Sequence, residues 1–359
     1  MSSTLPPACY SGVDVLEAET SVLLRRSWLG VARADEWKEP GDYRVLELAG
    51  TSTIVVRDEE RRLRAFANTC RHRGTQLLEG SGNTARIRCR FHGWTYGLDG
   101  SLRGATRMSA TQGFRRGDMG LVEFRVAERG GFVFVALSGD TPGIDEWLGD
   151  FGTLHAPWRL EELVTTRRRE IEVDCNWKLF LEVFNESYHL AYVHARTFGG
   201  IYLEPELPDD VGACVHSSFS PTAGTGGLKT DEQDHALPAM PGLGARERTG
   251  TRYTWLFPAI TFAAGSEALW AYGARPLGPR RCRVTQWVCF PPRTVASPDF
   301  EAKAERYYAR MDEALAEDVA MLESQQLGMD SPFARAGRWS DLERGAAAFA
   351  AWYARRLAQ

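Results

Sequence analysis

The chain has 359 residues, enough for two domains that each bury a core. With 43% hydrophobic and 25% charged residues and a net charge of −4, it has the balance of an ordinary globular protein and no electrostatic case for nucleic acid or an anionic membrane. No apolar run reaches the roughly eighteen residues of a spanning helix, and "MSSTLPPACYSGVDVLEAET" lacks a basic region followed by an apolar one, so the expectation is no secretory leader and a cytoplasmic location.

Residues 13 to 28 carry a mixed helical pattern ending at Trp28. Strand-like runs follow, "YRVLEL" (43–48), "STIVVR" (52–57) and "LRAFAN" (63–68), separated by turn residues. "YGLDGSLRG" (96–104) reads as a hairpin with Asp99-Gly100 at its tip, and "GGFVFVAL" (130–137) as a buried strand. Residues 40 to 140 thus look like a small all-β unit. After "HAPWRL" (155–160) the texture changes, and "CNWKLFLEVFNESYHLAYVH" (175–194) is expected to be mainly helical, as one element. Residues 220 to 252 are rich in Gly, Pro, Thr and charge, and a connection of that length is expected to be a lid or a disordered segment. "YTWLFPAITFAAG" and "CRVTQWVCF" read as strands, and Pro298 to Leu327 as a helix. Strands followed by long helices suggest an α+β second domain. No G-x-G-x-x-G follows a strand, so the chain lacks a dinucleotide fingerprint.

The seven cysteines, Cys9, Cys70, Cys89, Cys175, Cys214, Cys282 and Cys289, are odd in number and scattered, which argues against a disulfide framework. Two of them form Cys70-x-His72 and Cys89-x2-His92, with sixteen residues between the pairs. Such ligands fit zinc or an iron–sulfur cluster. A structural zinc site commonly draws its cysteines from one loop and its histidines from another, whereas here each loop mixes the two. A two-iron cluster with thiolates on one iron and imidazoles on the other suits the mixed pairs. Gly74 and Gly93 follow the pairs and permit tight turns.

His189 and His194 stand close together downstream; two histidines and a carboxylate on one face of iron leave positions open for oxygen and substrate. On the late helix Tyr307, Met311, Leu315, Leu322 and Gln325 form an apolar stripe that includes Asp318. An acid there is costly unless paired or metal-bound. Glu317 and Asp312 fall off the stripe and are expected to be solvated. His155, His216 and His235 show no partner pattern and read as structural or exposed. Glu182 reads either as support for the histidine network or as a salt-bridged structural acid.

"CRHRG" with "CRFHGWTYGLDG" resembles the Rieske domain of bacterial Rieske non-heme iron oxygenases, and the resemblance runs from about Leu5 to Tyr353. It implies a [2Fe-2S] cluster on Cys70, His72, Cys89 and His92, shielded by Trp94. Thr75 and Phe91 stand where respiratory-chain Rieske proteins carry a disulfide, so the cluster resembles the ferredoxin-like one of the oxygenases. Asn176-Trp177-Lys178, the acid-x-Tyr-His-x4-His segment and the late Glu-Asp pair also resemble the family, and imply mononuclear Fe(II) on His189, His194 and Asp318. Glu186 takes the place of the family's bridging aspartate. A glutamate there, with the Asn176–His189 spacing, resembles the branch acting on quaternary ammonium compounds such as choline, betaine and carnitine; Val183 departs from it, standing where an asparagine is frequent. The fold implied is α+β: a Rieske all-β domain at 40–150 and a helix-grip, START-like catalytic domain with an antiparallel sheet at 151–359, with a helical segment at 1–39 packed on the latter.

The resemblance implies a terminal oxygenase. Electrons from an NAD(P)H-dependent reductase, with or without a ferredoxin, reach the cluster and cross through Glu186 to the iron of a neighbouring subunit in a homotrimer. One atom of O2 enters a small substrate, and an N- or O-methyl substrate is demethylated; the other atom leaves as water. Phe184, Phe198, Tyr202, Trp255, Phe257, Phe262, Trp270 and Tyr272 are candidate pocket residues whose faces suit a methylated ammonium, although each equally suits the core. Two other readings compete: an aromatic-ring dioxygenase, which would have aspartate at 186, and a non-catalytic electron carrier with a ligand-binding domain.

Overall fold

Alternating and fully apolar strands assemble into three antiparallel sheets. The structure, a computed structural model, describes residues 3–358; Met1, Ser2 and Gln359, at the outer ends of the assigned ranges, lie outside the described residues. The seven-stranded sheet runs in the order Trp28–Arg33, Phe132–Ala136, Glu123–Arg129, Leu63–Ala67, Thr51–Arg57, Asp42–Leu48, Ser81–Asn83. Trp28 is therefore not the end of a helix. Residues 28–33 pair with 132–136, Trp28 opposite Ala136 and Arg33 opposite Phe132, and belong to the cluster-side sheet. The helical pattern before them occupies Ala8–Ser11, Val13–Ala18 and Glu19–Leu24.

Successive residues of Thr51–Arg57 face two different cores. Val55 joins the main core, while Ile54 and Val56 join a separate one with Phe66, Cys70, Cys89, Trp94 and Tyr96. A three-stranded sheet, Ile87–Arg88, Thr95–Tyr96 and Leu102–Gly104, completes this second core. Its hairpin closes by Gly97 N–H donating to the Ser101 carbonyl (2.9 Å). Gly100 has φ +79° there, and a Cβ on it would lie 2.5 Å from the Phe66 ring.

The six-stranded sheet runs Val164–Val173, Arg281–Phe290, Leu269–Gly278, Ile260–Ala264, Gly250–Leu256, Val215–Pro221. Its charged edge strand "VTTRRREIEV" is hard to see in sequence because arginine and glutamate mask the alternation. Arg167 and Arg169 of that strand reach Asp312 at 2.6 and 2.7 Å, so Asp312 is ion-paired rather than merely solvated.

Three helices clasp this sheet. Trp177–Phe184 is buried along its first six residues and capped by the Asn176 side chain, which accepts from Lys178 N–H at 3.0 Å. It stops at Asn185, so residues 175–194 are two helices, the second only Leu190–Val193. Phe300–Met329 buries Ala304, Tyr307, Arg310, Met311, Ala314, Leu315, Leu322 and Gln326. Gln325 is exposed and Gln326 takes the inner position, four residues after Leu322. Arg344–Leu357, unread in the sequence, covers the end of the sheet. The segment after Pro221 is held down rather than free. Leu228, Leu237, Met240 and Leu243 are buried, Leu237 N–H donates to the Tyr307 hydroxyl (3.0 Å), and Arg306 pairs with Glu232 (2.8 Å). No described helix is long and apolar enough to cross a membrane.

A buried polar knot fastens the N-terminal helices to the clasp. Lys178 Nζ meets Glu19 at 2.6 Å, Trp177 Nε1 donates to Glu19 at 3.0 Å, and the Tyr10 hydroxyl donates to Glu182 at 2.9 Å. Burial pushes the Glu182 carboxyl up to about 7, against the lowering pull of the Tyr10 hydroxyl and the Lys178 ammonium. An acid whose folded pKa is raised stabilises fully below its unfolded value and loses that contribution as pH rises through about 7. Glu182→Gln keeps a neutral group at every pH. Its melting-temperature deficit against the wild type should therefore shrink or reverse from pH 5 to pH 8, a swing on the order of 2–3 kcal/mol; a gap that stays constant across those pH values contradicts this.

Candidate active site: two metal-binding centres

The two Cys/His loops share one backbone pattern. Cys70 N–H donates to the Thr75 carbonyl (2.8 Å) and Gly74 N–H to the Cys70 carbonyl (2.9 Å); Cys89 N–H donates to the Trp94 carbonyl (2.8 Å) and Gly93 N–H to the Cys89 carbonyl (3.1 Å). Gly74 (φ +76°) and Gly93 (φ +71°) supply the left-handed turn that each loop needs. The thiols of Cys70 and Cys89 are buried, while His72 and His92 lie outside them with ring centroids 4.7 Å apart. His72 stacks on buried Trp94 at 5.0 Å. The Tyr96 hydroxyl lies 3.4 Å from Cys70 Sγ and accepts from Arg71 N–H, a neighbour the sequence reading passed over. Burial raises the Cys89 thiol's pKa, but the N–H groups of Phe91 and His92 and the Cys70 and Thr75 side chains outweigh it and bring it below the ordinary value. Thiols paired with each other beneath paired imidazoles fit two distinct irons, one on each pair.

The second centre forms where the clasping helices meet. Past Asn185 the Glu186 carboxylate turns back, accepting from the N–H of Tyr188 and His189 and meeting His189 Nδ1. His194 Nδ1 meets Glu317 at 2.6 Å, and the Thr197 hydroxyl donates to the same carboxylate at 2.8 Å. Glu317 is thus not merely solvated: it holds a histidine. With both Nδ1–H groups given to carboxylates, each Nε2 presents a lone pair inward. His194 Nε2 lies 2.9 Å and His189 Nε2 3.6 Å from Asp318 Oδ1, which is buried and accepts no hydrogen bond. The three donors lie within 4.8 Å of one another. Three lone-pair donors facing inward call for a cation, and two imidazoles with one carboxylate match the facial set of non-heme Fe(II). Burial lowers the His189 pKa, but the carboxylates of Glu186 and Asp318 together outweigh it and leave the pKa above its ordinary value.

A cavity opens beside this triad. Phe184, Phe198, Tyr202, Trp270 and Tyr272 line it as expected, and Tyr253, His216 and Arg310 line it unforeseen. Burial lowers the His216 pKa to about 4, so that imidazole is neutral. Three expected pocket residues lie elsewhere. Phe262 pairs in register with Thr254 and Ala271, one residue out of phase with Tyr253 and Tyr272, and packs on Phe132 and His155 behind the sheet. Trp255 stacks on Phe349 (4.2 Å) and Phe257 packs on Trp352 (5.3 Å), both under the C-terminal helix. Of residues 220–252 the cavity lining includes Ser220 alone, which belongs to the strand Val215–Pro221, so the segment is not its lid; Leu203, Pro205 and Leu342 are among the other lining residues. His155 is structural, its ring bonded to Phe151 O and Thr254 Oγ1.

A sheet-borne Cys/His cluster loop pair and a His/His/Asp triad under an aromatic cavity define a two-centre iron oxygenase. Residues 160–359 match the ring hydroxylating alpha subunit (catalytic domain) family, and residues 27–115 match the Rieske [2Fe-2S] domain. Choline monooxygenase, chloroplastic, of Arabidopsis thaliana is 30% identical over 357 residues, 96% of this chain and 80% of that protein. The carnitine monooxygenase oxygenase subunit of Acinetobacter pittii is 32% identical over 194 residues, 53% of this chain and 52% of that one. In fold the chain is similar to the quaternary ammonium Rieske monooxygenase CntA in complex with L-carnitine (TM-score 0.80, 23% identity, 99% of this chain and 95% of that). It is equally similar to a naphthalene 1,2-dioxygenase from Rhodococcus sp. (TM-score 0.82, 22% identity, 99% and 94%). The chain belongs to the Rieske non-heme iron oxygenases as a terminal oxygenase alpha subunit, whose cofactors are a [2Fe-2S] cluster and Fe(II), with O2 as cosubstrate. The electron-carrier reading is set aside.

Glu317→Gln should weaken Fe(II) binding at the triad roughly 10- to 100-fold and leave the visible absorption of the cluster unchanged. Fe(II) titration of protein stripped of its mononuclear metal measures this; wild-type affinity in the variant would show that Glu317 does not hold His194 for the metal.

Proposed function

We propose that the chain hydroxylates an N-methyl group of a small quaternary ammonium compound. The observation that carries this is an aromatic wall, Phe184, Phe198, Tyr202, Trp270 and Tyr272, set directly beside the His189–His194–Asp318 triad. Aromatic faces attract a fully methylated ammonium, which has no N–H to donate to an acceptor. Likeness along nearly the whole chain to a choline monooxygenase supports the reading.

When bound, the cluster supplies single electrons and the triad's Fe(II) the activation of O2. The chain's own part is positioning. Cys70, His72, Cys89 and His92 hold the cluster and Trp94 shields one face; His189, His194 and Asp318 hold the mononuclear iron. Glu186 and Glu317 fix the histidine tautomers, and the aromatic wall turns a methyl group toward the triad and keeps water away. In the overall balance one N-methyl group of the quaternary ammonium, one O2, two electrons and two protons give an N-hydroxymethyl group and one water. The carbinol then splits to formaldehyde, the tertiary amine and a proton.

Among the described residues, no hydrogen bond, ion pair or ring contact joins the Cys/His loops to the triad within one chain. Exposed Phe91 (60%) and Tyr192 (84%) flank the two centres and suit a subunit contact. Both facts support a head-to-tail homotrimer in which Glu186 bridges His189 to a cluster histidine of the neighbour. An NAD(P)H-dependent reductase, with or without a ferredoxin, is the electron source. Seven free thiols suit a reducing cytoplasm.

With a reductase and NADH, N-methyl ammonium substrates should yield formaldehyde matched to O2 consumed; arene cis-diols without formaldehyde would contradict the substrate assignment and favour ring dioxygenation. Glu186→Gln, loaded with Fe(II) at a concentration that offsets the weaker binding expected when His189 loses its carboxylate, should slow single-turnover reoxidation of the reduced cluster by about 10- to 100-fold. Reoxidation at the wild-type rate would remove Glu186 from the path.

A further inference from the structure

We infer that Arg310 is the anchor for a carboxylate on the substrate, so that the substrate is a zwitterion and not a simple cation; its ammonium half rests on the function proposed above. Arg310, Ala314 and Asp318 line the same cavity from one face of Phe300–Met329, spaced by four residues. Arg310 therefore lies about 12 Å before Asp318 along the helix axis. Ala314, between them on that face, is small and lines the same cavity.

Arg310 is 4% exposed, yet no carboxylate pairs with it among the described residues. Its Nη2 donates to the Tyr202 hydroxyl at 3.3 Å, and its Nε is buried without an acceptor. Two further arginines are as deeply buried and also leave Nε unpaired. Their Nη groups are nonetheless met, by the Gly130 and Leu160 carbonyls at Arg33 and by Asp209 at Arg252. Arg310 alone among the three turns its charge to an open cavity with only a neutral phenol for company. Phe198 (4.3 Å) and Trp270 (5.5 Å) hold the guanidinium plane in place.

A guanidinium does not shed its proton, so its charge is met only by an anion entering the cavity. The planar fork matches a carboxylate in two parallel hydrogen bonds. A cation without an anionic end gains nothing there and is repelled. A zwitterion satisfies both ends: its carboxylate at Arg310, its methylated ammonium at the aromatic wall toward the acidic triad. The separation allows a chain of a few carbons between the two charges.

The test is calorimetric titration of the metal-loaded oxygenase, without O2 or reductase, with four matched ligands. These are a trimethylammonium alkyl carboxylate, the same cation lacking the carboxylate, the same carboxylate lacking the ammonium, and the neutral alkane alcohol. The wild type should bind the zwitterion at least about 10-fold more tightly than the carboxylate-free cation, a modest return for a charge-assisted bidentate pair. Arg310→Gln should abolish that preference while leaving the cation's affinity unchanged or improved. Arg310→Lys, which keeps the charge but not the fork, should retain part of it. A merely structural Arg310 would lower all affinities together and leave the ratio intact. Equal binding of cation and zwitterion by the wild type overturns the inference and leaves the ammonium reading standing. A carboxylate preference with no ammonium preference upholds Arg310 and overturns the ammonium reading. If Arg310→Gln does not fold, as melting temperature and iron content would report, the wild-type and Arg310→Lys ratios decide.

Discussion

Two imidazoles give their outer nitrogens to Glu186 and Glu317 and face their inner nitrogens toward Asp318 Oδ1, an oxygen with no hydrogen-bond donor. This arrangement is unsatisfied unless a cation enters it, and much of the catalytic half exists to impose it. Asn185 ends one helix, bonding back to Leu181 O (2.6 Å) and accepting from Thr261 (3.0 Å), so that Glu186 can turn and His189 can point inward. The long helix delivers Glu317 and Asp318 as sequence neighbours, one to the outer side of a histidine and one to the inner side. Were either outer carboxylate absent, its imidazole could flip or change tautomer and the donor set would lose its geometry.

The cluster side works by a different principle. There the chain repeats one loop twice, with the same two backbone hydrogen bonds and the same positive-φ glycine, so that thiols converge below and imidazoles above. Its hydrophobic core is distinct from the main one, and the strands Asp42–Leu48, Thr51–Arg57 and Leu63–Ala67 send side chains to both. A rigid, separately cored electron-transfer unit can thus stand beside a catalytic unit whose cavity must admit substrate.

Much of this was legible in sequence because it is local. Each Cys/His pair lies within four residues, and Asp318 shows on the helical wheel as an acid on an apolar stripe. The relations that escaped are between segments. Glu317 sits off the stripe and reads as solvated until His194 and Thr197 arrive from another element. His216 reads as structural or exposed, and Arg310 carries no local signal at all, until the cavity is seen beside them. Trp255, Phe257 and Phe262 are chemically as suited to a pocket as Trp270; strand phase places Phe262 behind the sheet, and the unforeseen C-terminal helix covers the other two. The charged edge strand and the length of the segment after Pro221 misled for one reason: tertiary partners, Asp312 for the first and Tyr307 and Glu232 for the second, outweigh local composition.

Everything above requires one chain to hold two different iron centres. Metal and acid-labile sulfide analysis of anaerobically reconstituted protein tests it directly. About three irons and two sulfides per chain are expected, falling to about two irons with sulfide unchanged when His189 and His194 are both replaced by alanine. Zinc in place of iron at the Cys/His loops, or only two irons in the intact protein, would contradict it.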